Sequence, residues 1–108
     1  MKTNGLDQIA ALSDGTRRQI FDLLGKQASS VGDLAEKLPV TRSAVSQHLR
    51  VLQEAGLVKH RKASTRHVYY IDPEGLAKLR AYLDRTWERA LLEFKAAAEK
   101  PEGEKRKR

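Results

Sequence analysis

"TRSAVSQHLRVLQEAGLV", residues 41–58, is the stretch on which the fold turns. Val45, Leu49 and Leu52 recur at helical spacing, and Thr41 stands ahead of them as an N-cap. Gly56 supplies the C-terminal stop, and the apolar pair Leu57 and Val58 comes directly after it. At 100° per residue, Arg42, Ser43, Ser46, Gln47 and Arg50 share one side of this helix, opposite the apolar edge. A solvated helix face is usually rich in Lys and Glu, whereas this one carries short hydroxyls, an amide and guanidinium groups. Those groups suit DNA. Arg forms two hydrogen bonds with guanine O6 and N7, Gln forms two with adenine N6 and N7, and Ser lets the backbone approach the groove. The helix start at Thr41 and Arg42 adds oriented N–H groups and a positive dipole end for a phosphate.

Working outward, "SSVGDLAEKL" places Ser30 and Asp33 three apart, close to a capping box, with Val31, Leu34, Ala35 and Leu38 on one face. Pro39 ends that helix, so two helices are joined by a few residues: a helix-turn-helix. Further upstream, Leu6, Ile9, Ala10 and Leu12 give a short helical period. Ser13 and Asp14 then offer N-caps for a helix over 15–25, with Ile20, Phe21, Leu23 and Leu24 on one face and Gly25 closing it. After Gly56 the period changes from 3.6 to 2. "LVKHRK" and "RHVYYID" read as two strands joined by the turn "AST". Pro73 starts a helix over 73–98 with Leu76, Leu79, Leu83, Trp87, Leu91 and Phe94 in one stripe. The expected fold is mainly α with a small β-hairpin: a winged helix-turn-helix in the order α-α-α-α-β-β-α. Residues 1–98 form one DNA-binding and dimerisation domain in this reading, and 99–108 a basic disordered tail.

Charge supports the same partner. The net charge is +7 and the sequence pI about 9.9, which favours nucleic acid over membrane. Residues 1–40 are balanced, and 67–99 carry five basic against six acidic residues. Residues 41–66 hold six basic residues against Glu54 alone, and 100–108 hold five against two. The excess is confined to the quoted helix, the hairpin and the tail. On the hairpin, Lys59, Arg61, Lys62 and Arg66 surround a tip with Ser64 and Thr65. Such a ribbon can lie along the backbone or reach into the minor groove, or be a solvated edge protected by its charge. The tail adds unspecific phosphate attraction or is a solubilising end.

Together "LSDGTRRQIFDLL", "VGDLAEKL", "SAVSQHLRVLQEAGLV", "VYYIDPEGLAKL" and the Trp of "DRTWERAL" resemble the ArsR family of bacterial winged-helix repressors, from about residue 8 to 95. The resemblance implies a homodimer that binds an inverted-repeat operator in a promoter. By position it puts Ser43, Ser46, Gln47 and His48 on the recognition helix and Lys59 to Arg66 on the wing. Many family members release DNA on binding a metal, metalloid or persulfide, and here the sequence departs. The family's cysteine box falls in "SSVGDLAEKL", which has Val31 and Gly32 and no thiol; the whole chain lacks cysteine. The alternative family site uses His and carboxylates on the last helix, where Asp84, Glu88 and Glu93 stand without a His. Hard carboxylates alone make a poor transition-metal site, so no metal and no cofactor are expected. The wing also lacks the glycine common at the family's hairpin tip.

His48 sits at the edge of the recognition face, for a DNA contact or for packing. His60 and His67, on opposite strands, are read as exposed strand residues; a metal or pH site is the alternative. Arg17 is expected to support the fold and Arg18 to reach a phosphate. A last helix of this length outruns a domain of this size, so its far end must be covered by a two-fold partner. The expected interface is Leu6, Ile9, Trp87, Leu91 and Phe94. Two copies then present two recognition helices about one DNA turn apart.

Other functions fit poorly. No Gly-rich phosphate loop, thiol nucleophile or Ser/His/Asp spacing supports an enzyme, and Ser46 and His48 are two apart on a helix, facing different ways. A non-specific or architectural nucleic-acid binder is the alternative, but Tyr69 and Tyr70 alternate faces and make no stacking platform. A winged helix that binds protein would not need the basic hairpin. "MKTNGLDQIAAL" lacks a signal-peptide h-region, and no apolar run approaches a membrane span. The expected location is cytoplasmic.

Overall fold

The computed structural model describes residues 4–99, in the order α1 (Gly5–Ala11), α2 (Gly15–Lys26), α3 (Val31–Lys37), α4 (Arg42–Glu54), β1 (Val58–Ala63), β2 (Arg66–Ile71) and α5 (Pro73–Glu99). This is the winged helix-turn-helix order. The expected tail, apart from Glu99, lies outside the described residues.

Each helix starts on a side-chain oxygen that satisfies an otherwise unbonded N–H. Asn4 accepts from Asp7, Asp14 from Arg17 and Thr41 from Ala44. Ser30 and Asp33 close a full capping box, each side chain accepting the other's backbone N–H at 3.1 Å. Asp72 accepts from Glu74 at 3.0 Å ahead of Pro73. At the other end of α4, Gly56 takes φ 79°. Its N–H donates to Gln53 O at 2.9 Å, and the Leu57 N–H donates to Leu52 O at 3.0 Å. These two bonds make a Schellman stop that turns the chain into the wing.

The core is Ile20, Leu24, Leu34, Val45, Leu49, Leu52, Leu57 and Val58, with Leu79 reaching in from α5. The three apolar positions of the quoted helix thus face inward as expected. One helix end differs from the sequence reading. Gly25 does not close α2, which runs on to Lys26 and stops where Gln27 goes extended. One glycine costs a helix only about 1 kcal/mol, and the stop is imposed by the residues beyond it. Ser29 bridges to Tyr69 of β2, N–H to carbonyl both ways at 3.0 and 2.8 Å, which requires an extended chain. In α1 the face turned to the core is Gly5, Gln8 and Ala11, while Leu6, Ile9 and Ala10 are exposed. Gly5 presses on the Tyr82 ring of α5, and Gln8 Nε2 donates to Gly75 O at 2.7 Å.

The hairpin pairs Ala63 with Arg66, so its loop is the two residues Ser64 and Thr65. Ala63 therefore belongs to β1 and not to the turn. Ser64 takes φ 62°, the left-handed region that two-residue hairpins impose on their first loop position. Ser64→Gly is therefore expected to stabilise the protein by about 0.5–1 kcal/mol, read as a higher denaturant midpoint at constant slope.

Candidate nucleic-acid interface

α4 presents its polar face to solvent. Arg42, Ser43, Ser46, Gln47 and Arg50 are all exposed, while Val45, Leu49 and Leu52 behind them are fully buried. The rigid core edge therefore fixes the direction of the polar face. Thr41 is occupied as the cap, which leaves the N–H groups of Arg42 and Ser43 free at the positive end of the helix. Arg42 leans toward α3. Its guanidinium lies over Gly32, where a Cβ would come within 3.1 Å of Nη2. The helix-turn-helix thus brings together Ser43, Ser46, Gln47 and Arg50, with Arg42 at one margin.

His48 lies elsewhere. It is half-buried and turned toward the start of α2, close enough to help hold the Asp14 carboxyl below the usual carboxylate range. The main cause of that depression is the Arg17 N–H donating to Asp14. Arg17 Nε donates to Ala11 O at 2.6 Å and ties α2 to the end of α1, the fold support expected of it. Arg18 Nη1 makes a longer bond, 3.3 Å, to Leu12 O.

The four basic wing residues divide into two kinds. Arg61 and Lys62, next to the tip, are exposed and have no partner among the described residues. Lys59 and Arg66 are paired: Lys59 Nζ stands 3.9 Å from Asp72, and Arg66 Nη2 stands 2.7 Å from Asp33 Oδ2. His60 and His67 do approach each other, with ring centroids 5.1 Å apart. His60 Nδ1 lies 2.6 Å from Gln53 Oε1 and its ring rests 5.1 Å from Tyr69, which pins the base of the wing to the last turn of α4. Arg42 and Arg66 line a common cleft of about 500 Å³ at the start of α3, so the first turn of α4 and the wing are neighbours.

Ser30 and Asp33 are the residues that sequence reasoning missed here. Their capping-box spacing is visible, but the guanidinium that docks on them comes from 33 residues further along. No local pattern announces such a partner.

Known proteins share this architecture. A helix-turn-helix domain family matches residues 12–61. The HTH-type transcriptional regulator Rv2034 of Mycobacterium tuberculosis is 59% identical over 84 residues, 78% of each chain. The transcriptional repressor SdpR of Bacillus subtilis is 39% identical over 61 residues, covering 56% of this chain and 66% of its own. A solved ArsR-like transcriptional regulator from Rhodococcus sp. RHA1 superposes with a TM-score of 0.73 at 37% identity, covering 89% of this chain and 93% of that one. This chain belongs to the ArsR family of winged helix-turn-helix transcriptional regulators. As a family member it is a DNA-binding regulator of transcription and not an enzyme.

No group of three or more His, Asp or Glu is placed to hold a metal ion among the described residues, and the sequence has no cysteine. No helix among them is long and apolar enough to cross a membrane.

Proposed function

We propose that the protein is a dimeric repressor that binds an inverted-repeat operator and does so without metal sensing. Residues 1–98 serve as one DNA-binding and dimerisation unit, extended by the basic C-terminal segment. The observation that carries this reading is the α4 face: Ser43, Ser46, Gln47 and Arg50 exposed on a helix whose other side is locked in the core. In each half-site α4 enters the major groove. Gln47 and Arg42 read base edges, and Ser43, Ser46, Arg50 and the free N–H groups at the helix start hold phosphates. Arg61, Lys62 and Ser64 carry the wing along the flanking backbone. Repression results from occupying a promoter, which accords with the repressor SdpR among the relatives.

Titration of the protein with DNA from its own upstream promoter and with scrambled DNA, across a salt series, tests this. Operator reading gives a specificity ratio of ~10³ or more that persists as salt rises. Equal binding to both, lost steeply with salt, means a phosphate coater instead. In the same assay Gln47→Ala shifts the sequence preference and weakens each half-site by about 1–3 kcal/mol. Arg61→Ala instead weakens all sequences alike and flattens the salt slope by about one phosphate contact. If Gln47→Ala kept the full specificity ratio, the base-reading role would belong to another residue.

A further inference from the structure

We propose that Arg66 is a positioning residue: it locks the wing onto the start of α3, and it serves DNA binding through that lock rather than by touching a phosphate. This inference rests on the reading of the wing as a DNA contact.

The geometry is that of a latch. From one nitrogen, Arg66 Nη2, the guanidinium donates to Ser30 Oγ at 2.8 Å and to Asp33 Oδ2 at 2.7 Å. Both acceptors belong to the capping box, where each is already held by the other's backbone N–H. The wing therefore docks on two side chains that the capping box already holds in place. Asp33 remains ionised there. The Ser30 backbone N–H, then the Ser30 hydroxyl and the Arg66 guanidinium, hold its carboxyl below the usual carboxylate range.

Its place along the hairpin gives the latch its effect. The backbone bridge between Tyr69 and Ser29 ties β2 to the body, and His60 with Gln53 ties β1 at the same level, because His60 and Tyr69 are register partners. Both ties sit at one height and together act as a hinge. Arg66 is the first residue of β2, three residues nearer the tip, about 10 Å further along the strand. It alone among the described wing residues is bonded to the body beyond that hinge. Arg61 and Lys62 lie on the same free side, so the angle set by Arg66 sets where their charges fall relative to α4. The side chains of the pair are 57% and 46% exposed, and such pairs add little to global stability. The latch therefore fixes an angle without supporting the fold. Swinging Arg66 to a phosphate would also leave Asp33 uncompensated beside a polyanion, which opposes the direct-contact role that its charge suggests.

Two substitutions separate the roles. Arg66→Lys keeps the charge but shortens and reshapes the donor. Asp33→Asn keeps an oxygen for the Ser30 N–H while removing the ion pair. Because the chain has no cysteine, Thr65→Cys takes a single nitroxide at the wing tip without further changes. With the latch, both variants loosen the nitroxide in free protein and weaken specific DNA binding roughly fivefold. Their salt slope and melting temperature stay those of the parent. Three results overturn it: an unmoved nitroxide, Arg66→Lys binding like the parent, or Asp33→Asn binding more tightly because a freed arginine reaches DNA. The nitroxide is read without DNA, so failure of the operator reading and failure of the latch are told apart.

Discussion

Gly75→Ala lowers the melting temperature by on the order of 15 °C, from a loss of about 3 kcal/mol or more. A Cβ built on Gly75 falls on the carbonyl oxygen of Gly56, and the next atoms in its way are the Gly56 carbonyl carbon and Leu57 Cα. All three are backbone, so no side chain can swing aside. The crossing is also pinned from two directions. Asp72 N–H donates to Leu57 O at 2.9 Å, and Gln8 Nε2 donates to Gly75 O at 2.7 Å. Making room for a methyl group pulls α5 off the Schellman turn of α4 and stretches both bonds. Overpacking alone costs about 1–3 kcal/mol. Weakening the Gln8 bond adds to it, because Gln8 is fully buried and its Oε1 already has no partner among the described residues. In a domain of this size each kcal/mol moves the midpoint by about 4–8 °C. Gly15→Ala is the control: apart from its own stretch of chain, nothing stands within 4 Å of its Cβ position, and its melting temperature should hold or rise slightly. Circular dichroism melts of the two variants decide the matter. A Gly75→Ala protein melting within 3 °C of the parent would mean that the α4–α5 crossing is slack.

How much of this was legible in the sequence depends on the range of each interaction. Caps, stops and periods act over four residues or fewer, and they delivered the element order, the inward side of α4 and the Schellman turn at Gly56. The burial of Gln8 and the closeness of Gly5 to Tyr82 and of Gly75 to Gly56 join residues 67, 77 and 19 positions apart, respectively. A glutamine among apolar residues reads as surface until its acceptor on another helix is known. The same holds at the interface. The polar face of α4 is a local pattern and was readable. That Arg66 is held by α3 while Arg61 and Lys62 stay free was not, since all three look alike as basic strand residues. His48, equally, shares the quoted stretch but is half-buried, because at 100° per residue it lies closer around the helix to Leu52 than to Ser43, Ser46 and Arg50.

Trp87→Glu is expected to yield folded monomers that bind the operator on the order of 10²-fold more weakly. α5 is 27 residues long, about 40 Å at 1.5 Å per residue, and beyond Tyr82 every described residue of it is exposed. Trp87 is 66% and Phe94 71% exposed, and Leu6 on the outer side of α1 is 62% exposed. Ile9, Leu83 and Leu91 are also open to solvent, so the stripe continues from the α1–α5 contact outward. A soluble monomer rarely tolerates so much contiguous apolar surface, and the proposed two-fold partner covers it. Burying a ring of this size contributes about 2–3 kcal/mol or more, and a symmetric interface counts each substitution twice. A carboxylate placed there must also be desolvated. The dimer constant then falls by on the order of 10³, and with it the gain from engaging two half-sites with one molecule. Trp87 is the only tryptophan, so in the parent its own fluorescence reports dissociation as a red shift on dilution. Sedimentation of Trp87→Glu as an intact dimer, with operator affinity kept, would place the partner on some other surface and leave the long helix without an explanation.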